Sequence, residues 1–148
     1  MSARPRLQSL PLAVWERDGL KAALLKAGLR ADDVVRPDRL FWRFERDDDT
    51  PAGFGGLEMH GTDALLRSIV ILPPLRLAGI GRAIVAALEQ EAQLRGGRTI
   101  YLRAGAAEKF FAHLGYRPCR REDVPAAIRA SEELAADADA APVMVKRV

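Results

Sequence analysis

The segment between residues 64 and 102 constrains the fold of this 148-residue chain most strongly. Residues 64–72 form an almost uninterrupted apolar run, which two prolines bring to an end. Residues 79–95 then carry apolar side chains at helical spacing and are followed by two glycines, while residues 99–102 are mostly apolar again. A buried strand, an amphipathic helix and a second buried strand in this order predict two parallel strands joined by a right-handed crossover.

Shorter periodic segments flank this unit on both sides. Alternation of apolar and polar residues predicts a strand at 40–46, and further strands are expected at 6–12, 52–60, 116–120 and 142–148. Helical spacing predicts a helix at 15–29, and glycine and proline signals indicate helices at 106–114 and 126–134, with a short helical turn at 31–35. The glycines of the strand at 52–60 mark places where another group can approach its backbone closely. The chain is therefore expected to form one α/β (α+β) domain, residues 1–148, with a mixed sheet covered by helices.

Composition sets the class of protein. With 49% hydrophobic and 29% charged residues, the chain has the balance of an ordinary globular domain. Its net charge of +3 comes from basic residues spread along the sequence, which favours anionic ligands mildly and argues against a nucleic-acid partner. No stretch approaches the roughly 18 apolar residues of a membrane span. A single cysteine, Cys119, and no histidine or cysteine cluster of zinc-site spacing predict a cytoplasmic protein without a metal.

The turn between the apolar strand and the long helix has the features of a phosphate-binding site. It reads Arg76-Leu77-Ala78-Gly79-Ile80-Gly81-Arg82. Two glycines in the first turn of a helix leave backbone N–H groups accessible, and the helix dipole adds positive potential there, so a pyrophosphate fits. Both arginines can add charge-assisted bonds to phosphate oxygens. A dinucleotide fingerprint is excluded because Ile84 stands where a small residue is needed, and the Gly-Lys-Ser/Thr of a P-loop is absent.

The pattern that remains is Arg/Gln-x-x-Gly-x-Gly/Ala, and the motif matches it in register. Together with the downstream run Phe110-Phe111-Ala112-His113-Leu114-Gly115-Tyr116, it resembles the GNAT N-acetyltransferases, over about residues 40–118. The resemblance implies a GNAT fold with a mostly antiparallel sheet of six to seven strands, about four helices and a splayed parallel pair. It also implies acetyl-coenzyme A as co-substrate, with its pantetheine arm along Ile69, Val70 and Ile71. The amine would attack the thioester directly, aided by an N–H group at a bulge in that strand.

Several residues are candidates for proton transfer, since an ammonium group must lose a proton before it attacks. Glu58, in the strand beside the apolar strand, is the first choice as base; a glutamate paired with Arg67 is the alternative. His60 is a further candidate or else a turn residue. At the position where many GNAT enzymes have a tyrosine that protonates the thiolate, this chain has Phe111, which would pack along the pantetheine or in the core. Ser68, Tyr101 or water would then supply the proton.

Two arginines and a resemblance to one group of acetyltransferases indicate the class of substrate. Arg67 interrupts an apolar strand, so it either pairs with Glu58 or binds a substrate carboxylate, with help from Arg129. Nearly the whole chain resembles the arsenic-resistance N-acetyltransferases. The resemblance rests on Leu57-Glu58, Ala64-Leu65-Leu66-Arg67-Ser68 and Val124-Pro125-Ala126-Ala127-Ile128, among other segments. This implies acetylation of a small amine, such as an amino-acid-like toxin. A non-catalytic acyl-coenzyme A sensor and an acetyltransferase of protein N-termini or lysines are the alternatives, and a homodimer stays open.

Overall fold

The computed structural model describes residues 6–72, 79–135 and 142–148. Within them the strands are β1 Leu7–Pro11, β2 Leu40–Arg46, β3 Pro51–His60, β4 Asp63–Ile71, β5 Thr99–Arg103, β6 Arg117–Cys119 and β7 Val143–Arg147. The helices are α1 Asp18–Lys26, α2 Ile80–Leu94, α3 Glu108–His113, α4 Ala126–Arg129 and α5 Glu132–Ala135. No helix in the described part of the chain is both long and apolar enough to cross a membrane.

The seven strands form one sheet in the order β1-β2-β3-β4-β5-β7-β6. β4 and β5 are parallel and α2 connects them, which confirms the crossover predicted from the apolar segments. β1 with β2, β2 with β3, β5 with β7 and β6 with β7 are antiparallel. The register of the parallel pair runs from Asp63 opposite Thr99 to Leu66 opposite Leu102, whereas β4 continues to Ile71. The predicted mixed, mostly antiparallel sheet is confirmed.

The chain divides into two compact units that share β3 and β4, so the expected single domain stays a prediction. The first unit comprises Met1–Leu57 and Ser68–Gln90, and the second Glu58–Arg67 and Glu91–Val148. The core of the first unit comprises side chains of β2, β3, β4 and α1 and of the segments that follow β1 and α1: Leu12, Leu20, Leu24, Ala31, Val34, Phe41, Phe54 and Val70. In the second unit, apolar side chains of β4 and β7 pack with the C-terminal helical segment: Leu65, Val124, Ile128, Leu134 and Val143.

The glycines of β3 make room for close packing in the first unit, as the sequence predicted. A Cβ atom at Gly53 would lie 2.1 Å from the carbonyl oxygen of Val70 and 2.9 Å from a methyl group of Ile84 on α2. A Cβ atom at Gly55 would lie 2.6 Å from a methyl group of Leu88 on the same helix. Because the backbone oxygen of Val70 cannot move aside as a flexible side chain can, position 53 accepts only glycine without rearrangement of β4.

Two helix predictions need correction. The helix expected at 15–29 is shorter, because Val14–Glu16 form a 3₁₀ turn and α1 begins at Asp18 and ends at Lys26. The helix expected at 126–134 is divided into α4 and α5. The division occurs at Ser131, whose hydroxyl oxygen accepts a hydrogen bond from the amide of Glu133 at 3.2 Å and thereby starts a new helix.

Candidate active site

The predicted phosphate-binding turn is described from Gly79 onward, just before α2 begins. Gly79 adopts φ 72°, in the left-handed region that favours glycine, and its carbonyl accepts the first helical hydrogen bond from the amide of Ala83 at 3.2 Å. The amides of Ile80, Gly81 and Arg82 belong to the first turn, where N–H groups point beyond the helix end. Three predicted cofactor residues lie outside the described residues: Arg76, Leu77 and Ala78.

Ser68 interrupts the regular geometry of β4. Its φ is 60°, although it is not a glycine and lies within a strand. The left-handed conformation costs an ordinary residue about 1–2 kcal/mol, so the surrounding structure has to impose it. A residue in this conformation turns its peptide groups away from the direction of the hydrogen bonds between strands. The family resemblance implies an irregularity of this kind, a bulge, in this strand. No pattern in the sequence indicated which residue of the strand would be irregular.

The residues that follow Ser68 line a pocket in the first unit. Ile69, Val70 and Ile71, which were predicted to contact the coenzyme, form one wall, and Ala27 and Leu29 from the segment after α1 form the other. The pocket has a volume of about 350 Å³. All five side chains are apolar, so the pocket favours aliphatic groups and can expel water from them.

The second unit contains a buried polar cluster, which we call the Glu58 cluster. It comprises Glu58 and His60 of β3, Arg67 of β4, Ser131, and Glu133 of α5. Arg67 Nη1 donates to Glu58 Oε2 at 2.9 Å, and Ser131 Oγ donates to the same oxygen at 2.8 Å. Arg67 Nη2 lies 3.4 Å from Glu133 Oε2, and His60 Nε2 lies 3.6 Å from Glu58 Oε1. One carboxylate thus connects two strands with the C-terminal helical segment.

Burial makes the internal contacts of the cluster strong and its disruption costly. The side chains of Glu58 and Arg67 are both 0% exposed, whereas 28% of His60 is exposed. Charges removed from water depend on their partners for stabilisation, and Glu58 has two donors on Oε2. Of the two roles weighed for Arg67, pairing with Glu58 is the one that the structure contains. Its role in binding a substrate carboxylate stays a prediction, and complete burial of the guanidinium weighs against it.

The other predicted site residues are placed as follows. Phe111 on α3 is buried and contacts Phe110 and Tyr116 edge to face, with ring centroids 5.1 and 5.6 Å apart. Tyr101 packs against the apolar cluster of the second unit, and burial, followed by the charges of Asp63 and Cys119, raises the pKa of its hydroxyl. It therefore holds its proton more tightly than a solvated tyrosine. Arg129 is exposed on α4. The functional roles of all three stay predictions.

Sequence reasoning missed Ser131 and Glu133. Ser131 is separated from Glu58 by 73 positions, and nothing in either local pattern links them. The signal that could have indicated a helix start is local: a serine followed by two glutamates, which is typical of an N-cap and its first turn. That signal would have predicted the break between α4 and α5 but not the partner of the hydroxyl group.

The sequence is similar to a known protein family and to a known protein. The model of the acetyltransferase (GNAT) family matches residues 6–116. N-alpha-acetyltransferase 80 of Mus musculus is 40% identical over 53 residues, which are 36% of this chain and 17% of that protein. The chain therefore covers less than a fifth of that relative's length.

Solved structures share the fold over nearly the whole chain. A GNAT-family acetyltransferase from Staphylococcus aureus Mu50 superposes with a TM-score of 0.75 at 14% identity, covering 96% of this chain and 99% of that one. N-acetylglutamate synthase from Neisseria gonorrhoeae, complexed with coenzyme A and N-acetyl-glutamate, gives a TM-score of 0.77 at 15% identity, covering 99% of this chain and 36% of that one. At these identities the likeness concerns the fold.

Proposed function

Because the chain belongs to the GNAT acetyltransferase family, we propose that it transfers the acetyl group of acetyl-coenzyme A to the nitrogen of an amine. The family match over residues 6–116 carries this proposal, because it includes β4 with its irregular Ser68 and the beginning of α2. Three solved relatives in this fold, including the Neisseria synthase and an aminoglycoside 6'-N-acetyltransferase, are complexes with coenzyme A.

The residues present fit a coenzyme A co-substrate. The first-turn amides at Ile80 and Gly81 suit the diphosphate, and Arg82 is exposed beside them for a further contact. The apolar pocket along Ile69–71 suits the aliphatic pantetheine arm. By sequence, the proposed binding motif also includes Arg76, Leu77 and Ala78, which lie outside the described residues.

Transfer proceeds by direct attack, since the proposal needs no covalent enzyme intermediate. The amine nitrogen forms a bond to the thioester carbon, the C–S bond breaks, and the thiolate takes up a proton to leave as the thiol. The left-handed φ of Ser68 changes the direction of its peptide groups, and in this proposal an N–H group there meets the charge that develops on the carbonyl oxygen. Ser68, Tyr101 or water provides the thiolate proton, because Phe111 has no hydroxyl group.

Glu58 is the proposed acceptor of the amine proton. Its Oε2 atom is held by Arg67 and Ser131, so the carboxylate has a fixed orientation, and its Oε1 atom faces His60. Because the side chain is fully buried, the amine proton reaches it through a water molecule rather than by direct contact.

The proposed acceptor is a small-molecule amine, and an amino-acid-like toxin of the arsenic-resistance type is the finer form of this proposal. Support for the finer form comes from the sequence resemblance alone, and the burial of Arg67 leaves Arg129 as the exposed arginine for an anionic substrate. The second candidate is acetylation of protein N-termini, which the 53-residue similarity to N-alpha-acetyltransferase 80 favours.

A thiol-release assay with acetyl-coenzyme A tests both candidates. The acceptors are free amino acids, phosphinothricin, polyamines and short peptides with free or blocked N-termini. Release with a free amino acid or phosphinothricin supports the first candidate; release with unblocked peptides only supports the second. Binding of coenzyme A without release for any amine would contradict enzymatic transfer and favour an acyl-coenzyme A sensor.

A further inference from the structure

We propose that His60 relays the proton of each turnover from the buried Glu58 to solvent. This inference rests on the proposed function, in which Glu58 accepts the amine proton. It adds a role for a residue at the end of β3 that the reaction scheme above leaves unused.

Proton balance creates the need for a relay. Acetylation of an ammonium group converts R–NH₃⁺ and acetyl-coenzyme A into the amide, the thiol of coenzyme A and one free proton. One of the two protons lost by the nitrogen leaves with the thiol sulfur, and the other has to reach bulk water. If Glu58 receives that second proton, it must lose it before it can serve again.

Burial blocks the direct route to bulk water. The Glu58 side chain is 0% exposed, and its Oε2 atom already accepts from Arg67 and Ser131. The relay therefore uses Oε1, and His60 Nε2 lies 3.6 Å from that atom.

His60 has the two properties that a relay requires. Its Nε2 atom is buried against Glu58 while 28% of the side chain is exposed, so the imidazole connects the interior with solvent. An imidazole also has two ring nitrogens, so it can accept a proton on one and donate a proton from the other. The separation of 3.6 Å is longer than a hydrogen bond, and a contraction of this size is common when a substrate binds.

The neighbours of Glu58 fix the orientation of its carboxylate. Arg67 on β4 donates to Glu58 Oε2 at 2.9 Å and holds that oxygen in place. Glu133 on α5 lies 3.4 Å from Arg67 Nη2, whereas Glu58 Oε2 accepts from Arg67 Nη1. The two carboxylates therefore contact different nitrogens of the guanidinium. Ser131 donates to Glu58 and holds Oε1 towards the histidine.

The two histidines of the chain allow a matched test. His60→Gln removes the titrating group and keeps a polar side chain, and His113→Gln makes the same change at an exposed position on α3. Thiol release is measured with the best acceptor as a function of pH and of buffer concentration. For His60→Gln we expect kcat to fall about ten-fold or more while the KM for acetyl-coenzyme A is unchanged, because proton transfer and not binding is impaired.

The second measurement is rescue by imidazole, which would fail if His60 had only a structural role. Added imidazole should restore the rate of His60→Gln and should leave wild type and His113→Gln unchanged. His60→Asn, assayed in the same way, replaces His60→Gln if the latter does not fold. The relay is overturned if wild type turns over and the folded His60 variant has the same kcat, pH profile and buffer dependence. Absence of turnover in wild type with every amine would instead overturn the proposed function, and the relay with it.

Discussion

Two buried arginines, one in each unit, are stabilised in opposite ways. Arg17 in the first unit donates to backbone carbonyls: Nε and Nη2 to Leu12 at 3.2 and 3.1 Å, and Nη1 to Val34 and Arg36, both at 2.9 Å. Its guanidinium also lies 5.0 Å from the centroid of the Phe41 ring. Within the described residues no carboxylate pairs with it. Arg67 in the second unit is instead bound by the carboxylates of Glu58 and Glu133.

The difference separates two uses of a buried cation. Arg17 ties the turn at 31–36 to the end of β1 through neutral acceptors, so its charge is not compensated and burial lowers the pKa of its guanidinium. Arg67 compensates a buried charge, and the two groups depend on each other. Arg17 holds two backbone segments together. Arg67 belongs to a cluster of charged groups, in which removing one charge leaves its partner buried without compensation.

Arg67→Met should have the largest effect on stability. It leaves Glu58 buried without its cation, which costs about 3–5 kcal/mol in the free energy of unfolding. Urea denaturation measures the change. The control is the double variant Arg67→Met with Glu58→Gln, which removes both charges and should recover part of the loss. A double variant less stable than Arg67→Met would contradict the mutual dependence of the pair.

Arg17→Met should cost about 3 kcal/mol, because three buried or half-buried carbonyl groups lose their donor at about 1 kcal/mol each. No second substitution can compensate this change, since the acceptors belong to the backbone. Arg17→Lys is the matched control: it keeps the charge but not the planar donor array, and its stability should fall between those of Arg17→Met and wild type. Equal stability of Arg17→Lys and wild type would show that the charge alone matters.

Ser131→Ala should cost about 1–2 kcal/mol, from the lost cap of α5 and the lost bond to Glu58. The part due to Glu58 is separated by repeating the substitution in a Glu58→Gln background, again by urea denaturation. If the two backgrounds give the same loss, the hydroxyl acts only as a helix cap.

Glu91→Gln provides the reference for an exposed pair. Arg95 Nη1 lies 2.6 Å from Glu91 Oε2 on the surface of α2, one helical turn away. Despite the short distance, loss of the pair should change stability by less than about 0.5 kcal/mol, because water screens both charges. A loss as large as that of Ser131→Ala would contradict the assumption that burial, rather than distance, sets the strength of these pairs.

Much of the fold could be predicted from the sequence because its signals are local. β2 was predicted with its observed bounds from the alternation of Leu40, Trp42 and Phe44, and the glycines of β3 indicated a close approach that Gly53 makes. The pairing of Glu58 with Arg67 was a stated alternative, since neighbouring strands bring side chains on one face together.

The rest could not be predicted because it depends on tertiary contacts. Ser131 bonds to a residue 73 positions away, and this contact accompanies the break in a segment with good helical spacing. The left-handed conformation of Ser68 is imposed by its surroundings on a residue with no such preference. Arg17 lies within the segment predicted as the first helix, and its three acceptors are carbonyl groups that carry no signal in the sequence.

The division of the C-terminal segment into α4 and α5 affects how fast the amide protons of this segment exchange with solvent. Each helix has four residues, far fewer than the roughly 12 that an isolated helix needs to persist in water. Their amide protons should therefore exchange with solvent at a rate governed by their anchoring contacts rather than by helix propensity. A change of charge at a single carboxylate on β3 would then be detectable as faster exchange along an entire segment distant in sequence.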